Sequence, residues 1–537
     1  MHPRRGRTVG IVSLLTLGVA FAGYVREAAL AARFGLSTTM DAYFAAVFIP
    51  TLVYMVLIAG TLSPVLISIL IQQEGDEDRA QLAETFSVVT NVVLLLLALT
   101  IALGVVTART WLPLLFSGFD RTTTDTATRL VYIIFPAVIF VALAGILTAA
   151  LNGFHKFALP AAAPALSSLV VIAAAALARG DRAIYVVGLA TALGFLLQFV
   201  FLLPATARLG IRYRLVLNFR HPAIGKLIRL GVPLLLYLLV ANASSFLERN
   251  LASKLSAGAV SSITYATRLF AIPANFFAAP LAIVVYPLFV REAVRDNYGD
   301  LRNQISRMIR LVCFLFMPLT LWVVMNALPL IRMFYERGQF HVSDSVVTAR
   351  VLMLYGVGIL PNAVAVILLR CFYAVQDTMT PLWAESIDLA FYVVVALLLT
   401  PRFGLAGLAI TRGMTFFLVA SILIFVLSRK RKLLVVDFDL LRFLGRTAIA
   451  SLAMAAVSWM SFHLLQSAFD SGKTPLRLGI ICAVLAVSAP VFLGVARLLK
   501  LDEATHIVST VWQLVPGLAS SVSEADGRLP PLNGEST

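Results

Sequence analysis

Gly188-Leu189-Ala190-x-x-x-Gly194 returns as Gly407-Leu408-Ala409-x-x-x-Gly413, about 219 residues further along the chain. Working outward, Leu159-Pro160 is echoed by Thr380-Pro381 at a shift of about 221. Pro50 and Pro64 bracket an apolar stretch, and Pro273 and Pro287 bracket another at a shift of about 223. Prolines kink helices, and glycines let them pack closely. Near-constant spacing of both therefore predicts two helical bundles of like build. Duplicated bundles in a membrane, with a site between them, are the build of secondary transporters.

Composition places these bundles in a bilayer. Hydrophobic residues make up 60% of the chain and charged residues 13%, against about 25% in soluble domains. Mean hydropathy is +0.92. A spanning helix needs about 20 mostly apolar residues, and such runs recur throughout. The predicted spans are 8–32, 42–71, 85–108, 128–151, 158–178, 183–207, 223–247, 258–290, 305–328, 346–375, 382–400, 404–428, 440–465 and 476–499. The fold class is thus an all-α integral membrane protein with about fourteen transmembrane helices. The long spans that hold the proline pairs are expected to bend.

The repeat divides the chain into an N-lobe (1–207, six helices), a basic linker (208–222), a C-lobe (223–428, six helices), two further helices (429–500) and a polar tail (501–537). Six crossings per lobe is an even number, so the symmetry axis stands along the membrane normal. Lys and Arg mark the cytoplasmic side. Arg4, Arg5 and Arg7, then Arg208, Arg212, Arg214 and Arg220, then Arg291, Arg295 and Arg302, then Arg429 to Lys432 all fall on one side of this topology. Both termini are then cytoplasmic, although the loop with Glu74, Asp76, Glu77 and Asp78 dissents. The N-terminal run from Thr8 is too long for a signal peptide and reads as the first span.

The net charge of +16 follows this loop bias. It is scattered over membrane loops, which argues against a nucleic-acid partner and for anionic phospholipids. Cys313, Cys371 and Cys482 have neither metal nor disulfide spacing. No HExxH, GxSxG, P-loop or paired acidic motif is present, so the chain reads as a carrier, not an enzyme. Without a nucleotide site or cofactor, transport would be driven by sodium or proton coupling or by the membrane potential.

Four stretches carry a family resemblance. They are Gly23-Tyr24-Val25-Arg26-Glu27 continuing to Asp41-Ala42-Tyr43-Phe44; Leu251-Ala252-Ser253 through Tyr265-Ala266-Thr267-Arg268 to Pro273; Phe334-Tyr335-Glu336-Arg337-Gly338-Gln339-Phe340; and Arg370-Cys371-Phe372-Tyr373-Ala374-Val375-Gln376-Asp377-Thr378-Met379-Thr380-Pro381. With them the chain resembles the MurJ (MviN) family of lipid II flippases, in the multidrug/oligosaccharidyl-lipid/polysaccharide exporter superfamily. The resemblance implies two six-helix lobes in a V-shaped pseudo-two-fold arrangement, with a lipid-tail groove on the last two helices. The implied work is to move an undecaprenyl-diphosphate saccharide, lipid II first among them, from the inner to the outer leaflet of a bacterial inner membrane by alternating access. Cell-wall synthesis proteins are partners by the same analogy. The alternatives are export of another polyprenyl-linked unit, a cation-coupled multidrug exporter of the same superfamily, and a non-transporting scaffold.

The chain departs from the family pattern where Val19 and Ala20 replace a Ser-Arg pair, Tyr54 and Met55 an Arg-Arg pair, Ala59 a Glu, and Ala271 an acidic residue. Several cavity charges are thus missing, and the cargo is less closely specified than the activity.

A diphosphate crossing hydrocarbon needs cations in a wet cleft, and the guanidinium fork suits phosphate oxygens. Arg26 and Arg268 are the leading substrate-binding candidates, joined by Asp41, as a partner of Arg26 or an outer gate, and by Arg33, which also fits the membrane interface. Glu336 and Arg337 in an outer loop, and Arg370 and Asp377 before Pro381, are gating or structural candidates. The run 389–400 is too short to span alone, so its helix draws in Asp388 and Glu385. Three apart on one helix face, these two form a candidate sodium or proton site.

Overall fold

A computed structural model of the chain describes residues 3–55, 79–209, 213–295, 297–430, 432–434, 437–471 and 473–504. Ala59, Pro64, the acidic stretch Glu74 to Asp78, Arg212, Arg431 and nearly all of the polar tail lie outside the described residues. In chain order the helices are α1 (Pro3–Phe34), α2 (Thr38–Tyr54), α3 (Arg79–Val106), α4 (Ala108–Leu115), α5 (Arg121–Gly153), α6 (Ala158–Ala162), α7 (Pro164–Leu177), α8 (Ala183–Ala207), α9 (Pro222–Ser253), α10 (Ala259–Pro273), α11 (Ala279–Val294), α12 (Tyr298–Met325), α13 (Ala327–Tyr335), α14 (Val342–Gly356), α15 (Ile359–Ala374), α16 (Met379–Phe403), α17 (Leu405–Phe425), α18 (Phe438–Ser471) and α19 (Thr474–Leu498). Among the described residues there is no strand.

Eleven of these stretches are long and apolar enough to cross a bilayer, or twelve if the bent pair α14 and α15 counts as one crossing. The other two predicted spans coincide with α2, whose continuation past Met55 lies outside the described residues, and with the 32-residue α9. The chain is therefore an all-helical, multi-pass membrane protein. The outward faces agree: Leu96, Leu99 and Leu103, spaced for one side of α3, are 53%, 59% and 67% exposed, as lipid-facing side chains are.

Local chemistry sets the helix ends. The Ser37 hydroxyl accepts the Met40 N–H at 3.2 Å and starts α2. Asp120 starts α5, accepting from the Thr123 N–H at 2.9 Å and the Thr122 hydroxyl at 2.7 Å. Each satisfies a donor that the first helical turn leaves free. The distortion expected at Pro273 takes the form of a π-helical turn, Ala274–Ala278. Proline removes an N–H and crowds the turn before it, and the turn between Pro273 and Pro280 is this wider π turn.

The chain forms two compact units. One comprises Met1–Ile272, Ala327–Gly358 and Thr378–Val419. Its centre is α5, packed against α2, α3 and α8, with Leu130, Val131, Ile134 and Val138 fully buried. The repeated glycines are where helices meet. A Cβ on Gly194 would stand 2.8 Å from the Ser167 Cα of α7, and one on Gly413 would stand 3.1 Å from the Leu354 carbonyl oxygen of α14. Gly194→Leu is therefore expected to destabilise by about 1–3 kcal/mol through overpacking. A lower detergent melting temperature than that of Gly23→Ala, where a Cβ meets nothing within 4 Å, is the check.

The other unit comprises Pro273–Asn326, Ile359–Asp377 and Ala420–Thr537. Here α12 packs on α15 and α18, and α18 pairs with α19. The Asn326 amide donates to the Ser458 hydroxyl at 2.9 Å and to the Trp322 carbonyl at 2.8 Å. Phe314 and Phe492 meet at 4.9 Å between ring centroids. Beside them an apolar cavity of about 270 Å³ is lined by Phe314, Pro318, Trp322, Met454, Leu485 and Phe492, among others.

Candidate functional site

Arg26 and Arg268 converge on one carboxylate that the sequence reading left without a role. Arg26 Nη2 lies 2.8 Å from Glu27 Oε1, and Arg268 Nε lies 3.4 Å from the same oxygen. The Glu27 side chain is only 3% exposed, whereas that of Arg268 is 52% exposed. Burial makes an isolated charge costly, and two guanidinium groups offset that cost for Glu27. Arg268 keeps most of its fork free to meet something else.

That free side borders a recess of about 270 Å³, walled by Phe44, Phe48, Thr51, Asn242, Ser245, Arg249, Thr264, Thr267 and Arg268. It lies within the first unit, between α2, α9 and α10. Arg249 is a second cation in the wall that the sequence reading missed. Its guanidinium stacks over the Phe48 ring at 4.0 Å and donates to the Ser245 carbonyl at 3.2 Å, which fixes its orientation. Arg249 stands just past the predicted limit of span seven at 247, whereas α9 runs on to Ser253. Two positions where expected family charges are missing, Met55 and Ala271, also line the recess. Ala20 and Tyr54 are not among its walls.

Asp41 is not paired with Arg26. It is 4% exposed, and its carboxylate accepts the Gly258 N–H at 2.8 Å, the Ser261 N–H at 2.7 Å and the Ser261 hydroxyl at 2.5 Å. Nor does it cap its own helix, since Ser37 does that. It caps the start of α10 instead, and so ties α2 to the helix that carries Arg268. Loss of such a cap costs about 1–2 kcal/mol. Asp41→Ala is accordingly expected to speed amide hydrogen exchange at Gly258 and Ser261 about tenfold, measured against an unchanged exchange rate at Thr123.

The acidic pair on α16 lies near a guanidinium. Asp388 is buried and faces Arg412 of α17, with Glu385 one turn away. Arg412 Nη2 lies 3.2 Å from Glu248 Oε2, its Nη1 donates to the Ser244 hydroxyl at 3.0 Å, and its guanidinium covers the Tyr392 ring at 4.4 Å. The Tyr355 hydroxyl donates to Glu248 Oε1. An Arg within span twelve and a Glu at the end of span seven were the available signals, because charges at such depth need partners. Among the described residues, no three His, Cys, Asp or Glu side chains are grouped to hold a metal ion.

The remaining candidates make local contacts. Glu336 accepts from Arg332 Nε and the Ser345 hydroxyl, both at 2.8 Å, and Arg337 donates to the Met333 carbonyl at 3.0 Å and the Phe334 carbonyl at 2.5 Å. Gly338 has φ +59° and lies so close to the Ala32 carbonyl that a side chain is excluded; the Gln339 N–H donates to that carbonyl at 2.8 Å. The Glu336–Phe340 turn is thereby fastened to the end of α1. Arg33 lies over the neighbouring Phe34 ring at 6.0 Å rather than with Arg26. In the second unit Arg370 covers the Tyr286 ring at 6.0 Å, and the Asp377 N–H closes the end of α15 onto the Phe372 carbonyl at 2.9 Å.

Comparison with known proteins bears on what this arrangement serves. The family described as lipid II flippase MurJ matches residues 30–480. The lipid II flippase MurJ of Burkholderia cenocepacia is 29% identical over 504 residues, covering 91% of this chain and 96% of its own. The probable lipid II flippase MurJ of Rhizobium meliloti is 28% identical over 501 residues, covering 89% and 92%. Among solved structures, a lipid II flippase MurJ in an inward closed conformation matches with a TM-score of 0.75 at 21% identity, over 90% of this chain and 98% of that one. An inward-facing multidrug resistance MATE family transporter of the MOP superfamily shares the fold more distantly, with a TM-score of 0.64 at 14% identity over 78% and 97%. With the match extending through both units and over the recess, the chain belongs to the lipid II flippase MurJ family.

Proposed function

We propose that the protein translocates lipid II, its diphosphate held in the recess by Arg268 and Arg249 while its polyprenyl tail stays in apolar surroundings. The single observation that carries this reading is the free guanidinium face of Arg268, anchored on buried Glu27 and turned to a recess that also holds Arg249. A guanidinium fork bonds phosphate oxygens in pairs. An anion bound there avoids the desolvation cost it would meet in bare hydrocarbon. The Asn242 amide, which donates one N–H to the Leu238 carbonyl, has a second for phosphate or sugar, and the hydroxyls of Thr51, Thr264 and Thr267, which donate to their own helix carbonyls, can accept from sugar hydroxyls. Arg26, held by Glu27, acts as a reserve of positive charge behind Arg268.

In this reading residues 1–207 and 223–428 are the two repeats of an alternating-access carrier, with both termini on the cytoplasmic side. Asp41 is the latch of the outer end, because its three hydrogen bonds hold α2 to the start of α10. The apolar cavity walled by α12, α18 and α19 suits the polyprenyl tail. Cell-wall synthesis proteins that consume the flipped lipid are the natural partners. The test is reconstitution of the full chain in proteoliposomes, with lipid II and a neutral polyprenyl glycoside as parallel cargoes. Lipid II is expected to cross at a rate that rises with protein content, and the glycoside is not. Equal rates for both would remove the diphosphate from the recognition.

A further inference from the structure

A third cavity, sharing no residue with the recess, lies where the basic linker leaves α8. It measures about 490 Å³, within the roughly 300–1,000 Å³ usual for small-ligand sites. Phe86, Thr90, Leu147, Phe199, Thr206 and Tyr213 are among its walls, so it is apolar with a few hydroxyls. All lie in the first unit.

The linker forms one side of this cavity because it is nailed down. The Asn91 amide donates to the Arg214 carbonyl at 2.9 Å and to the Val216 carbonyl at 3.0 Å. The Arg214 N–H donates to the Ser87 hydroxyl at 3.0 Å, and the Tyr213 hydroxyl donates to the Asn91 carbonyl oxygen. The described part of the linker exposes Leu215, Leu217 and Phe219 together with Arg208, Arg214 and Arg220. No acidic residue falls between 208 and 222. Apolar tips mixed with guanidinium groups suit the boundary of acyl chains and headgroups.

Two observations point to the ligand. Ala207 and Tyr213 line the cavity, and the residue after each is an exposed arginine, Arg208 and Arg214, so positive charge stands beside the mouth. Inside, Thr90 is only 4% exposed, and its hydroxyl has no hydrogen-bond partner among the described residues. The Thr206 and Tyr213 hydroxyls already donate within the protein, so the buried unpaired Thr90 hydroxyl marks a place for an acceptor.

We propose that this cavity binds an anionic glycerophospholipid of the surrounding leaflet. One acyl chain fills the chamber, the Thr90 hydroxyl donates to an ester carbonyl, and Arg208 and Arg214 hold the headgroup phosphate. The lipid clamps the linker between the proposed repeats to α3, α5 and α8.

The test uses the full chain in phosphatidylcholine proteoliposomes with trace phosphatidylglycerol carrying a photoreactive group on one acyl chain, and the matching phosphatidylcholine probe in parallel. Phosphatidylglycerol is expected to label peptides spanning residues 86–94 and 199–207 in clear preference to phosphatidylcholine. Arg208→Ala with Arg214→Ala should cut that preference roughly 25-fold, at about fivefold per interfacial arginine. Thr90→Val should weaken labelling by phosphatidylglycerol roughly threefold. Leu203→Trp, which fills the chamber from its wall, should abolish labelling by both probes, and it serves if the double arginine variant does not fold. Equal labelling by the two probes, an unchanged preference in the arginine variant, or displacement of the probe by stoichiometric lipid II would each overturn the proposal.

Discussion

Arg268→Ala is expected to slow lipid II translocation at least tenfold in proteoliposomes while leaving the protein folded. A charge-assisted hydrogen bond to phosphate is worth roughly 1.5–3 kcal/mol, which is about 10- to 150-fold in rate if it acts at the barrier. Folding survives because Glu27 keeps Arg26 at 2.8 Å. The half-exposed Arg268 side chain is thus the less essential of the two partners for satisfying that carboxylate. Arg268→Lys retains charge but loses the planar fork, and should fall between the wild type and the alanine variant. The reading is initial transport rate at matched protein incorporation. A rate equal to wild type in Arg268→Ala, with Arg249→Ala also unchanged, would dismiss the recess as the binding site.

How much of this was legible in the sequence divides along a physical line. Helices and their close approaches were legible, because apolar run length and glycine spacing are local properties. Gly194 against Ser167 and Gly413 against Leu354 are the contacts that the repeated motif advertises. Arg268 stood out because a lone charge beside an apolar run needs an explanation. What escaped were partnerships across the fold. Glu248 and Arg412 are 164 positions apart, and nothing in either neighbourhood says that they meet. Asp41 looked like a partner for Arg26, but its carboxylate belongs to the start of α10, 217 positions along at Gly258. Arg249 was lost through a boundary. An apolar run stops at Leu247, yet a helix continues past charged residues when tertiary contacts satisfy them, as the Phe48 ring does for Arg249. The acidic pair Glu385 and Asp388 is legible by depth, whereas the Arg412–Glu248 pair beside it is not.

That internal guanidinium leads to the second large expected effect. Arg412→Ala should lower the stability of the protein by about 3–5 kcal/mol, the usual cost of leaving one member of a buried ion pair alone. The side chains of Arg412 and Glu248 are 9% and 5% exposed, so water cannot take over the lost contacts. After truncation Glu248 would keep the Tyr355 hydroxyl as a donor, while Ser244 and Tyr392 would face a void. Since folded proteins are stable by only about 5–15 kcal/mol, the variant should lose most of its yield in detergent and melt well below wild type. Arg412→Met combined with Glu248→Leu and Asp388→Asn removes the pair together with the buried carboxylate that faces Arg412, and should recover much of the loss, because a buried pair and an apolar packing are often nearly equivalent. Transport by that triple variant then separates two roles for the network. Recovery of melting temperature and of lipid II transport together assigns it to structure alone, whereas a stable but inactive triple variant would mean that the charges in α9, α16 and α17 act in the transport cycle itself. No drop in melting temperature for Arg412→Ala would show that the pair is not buried as described.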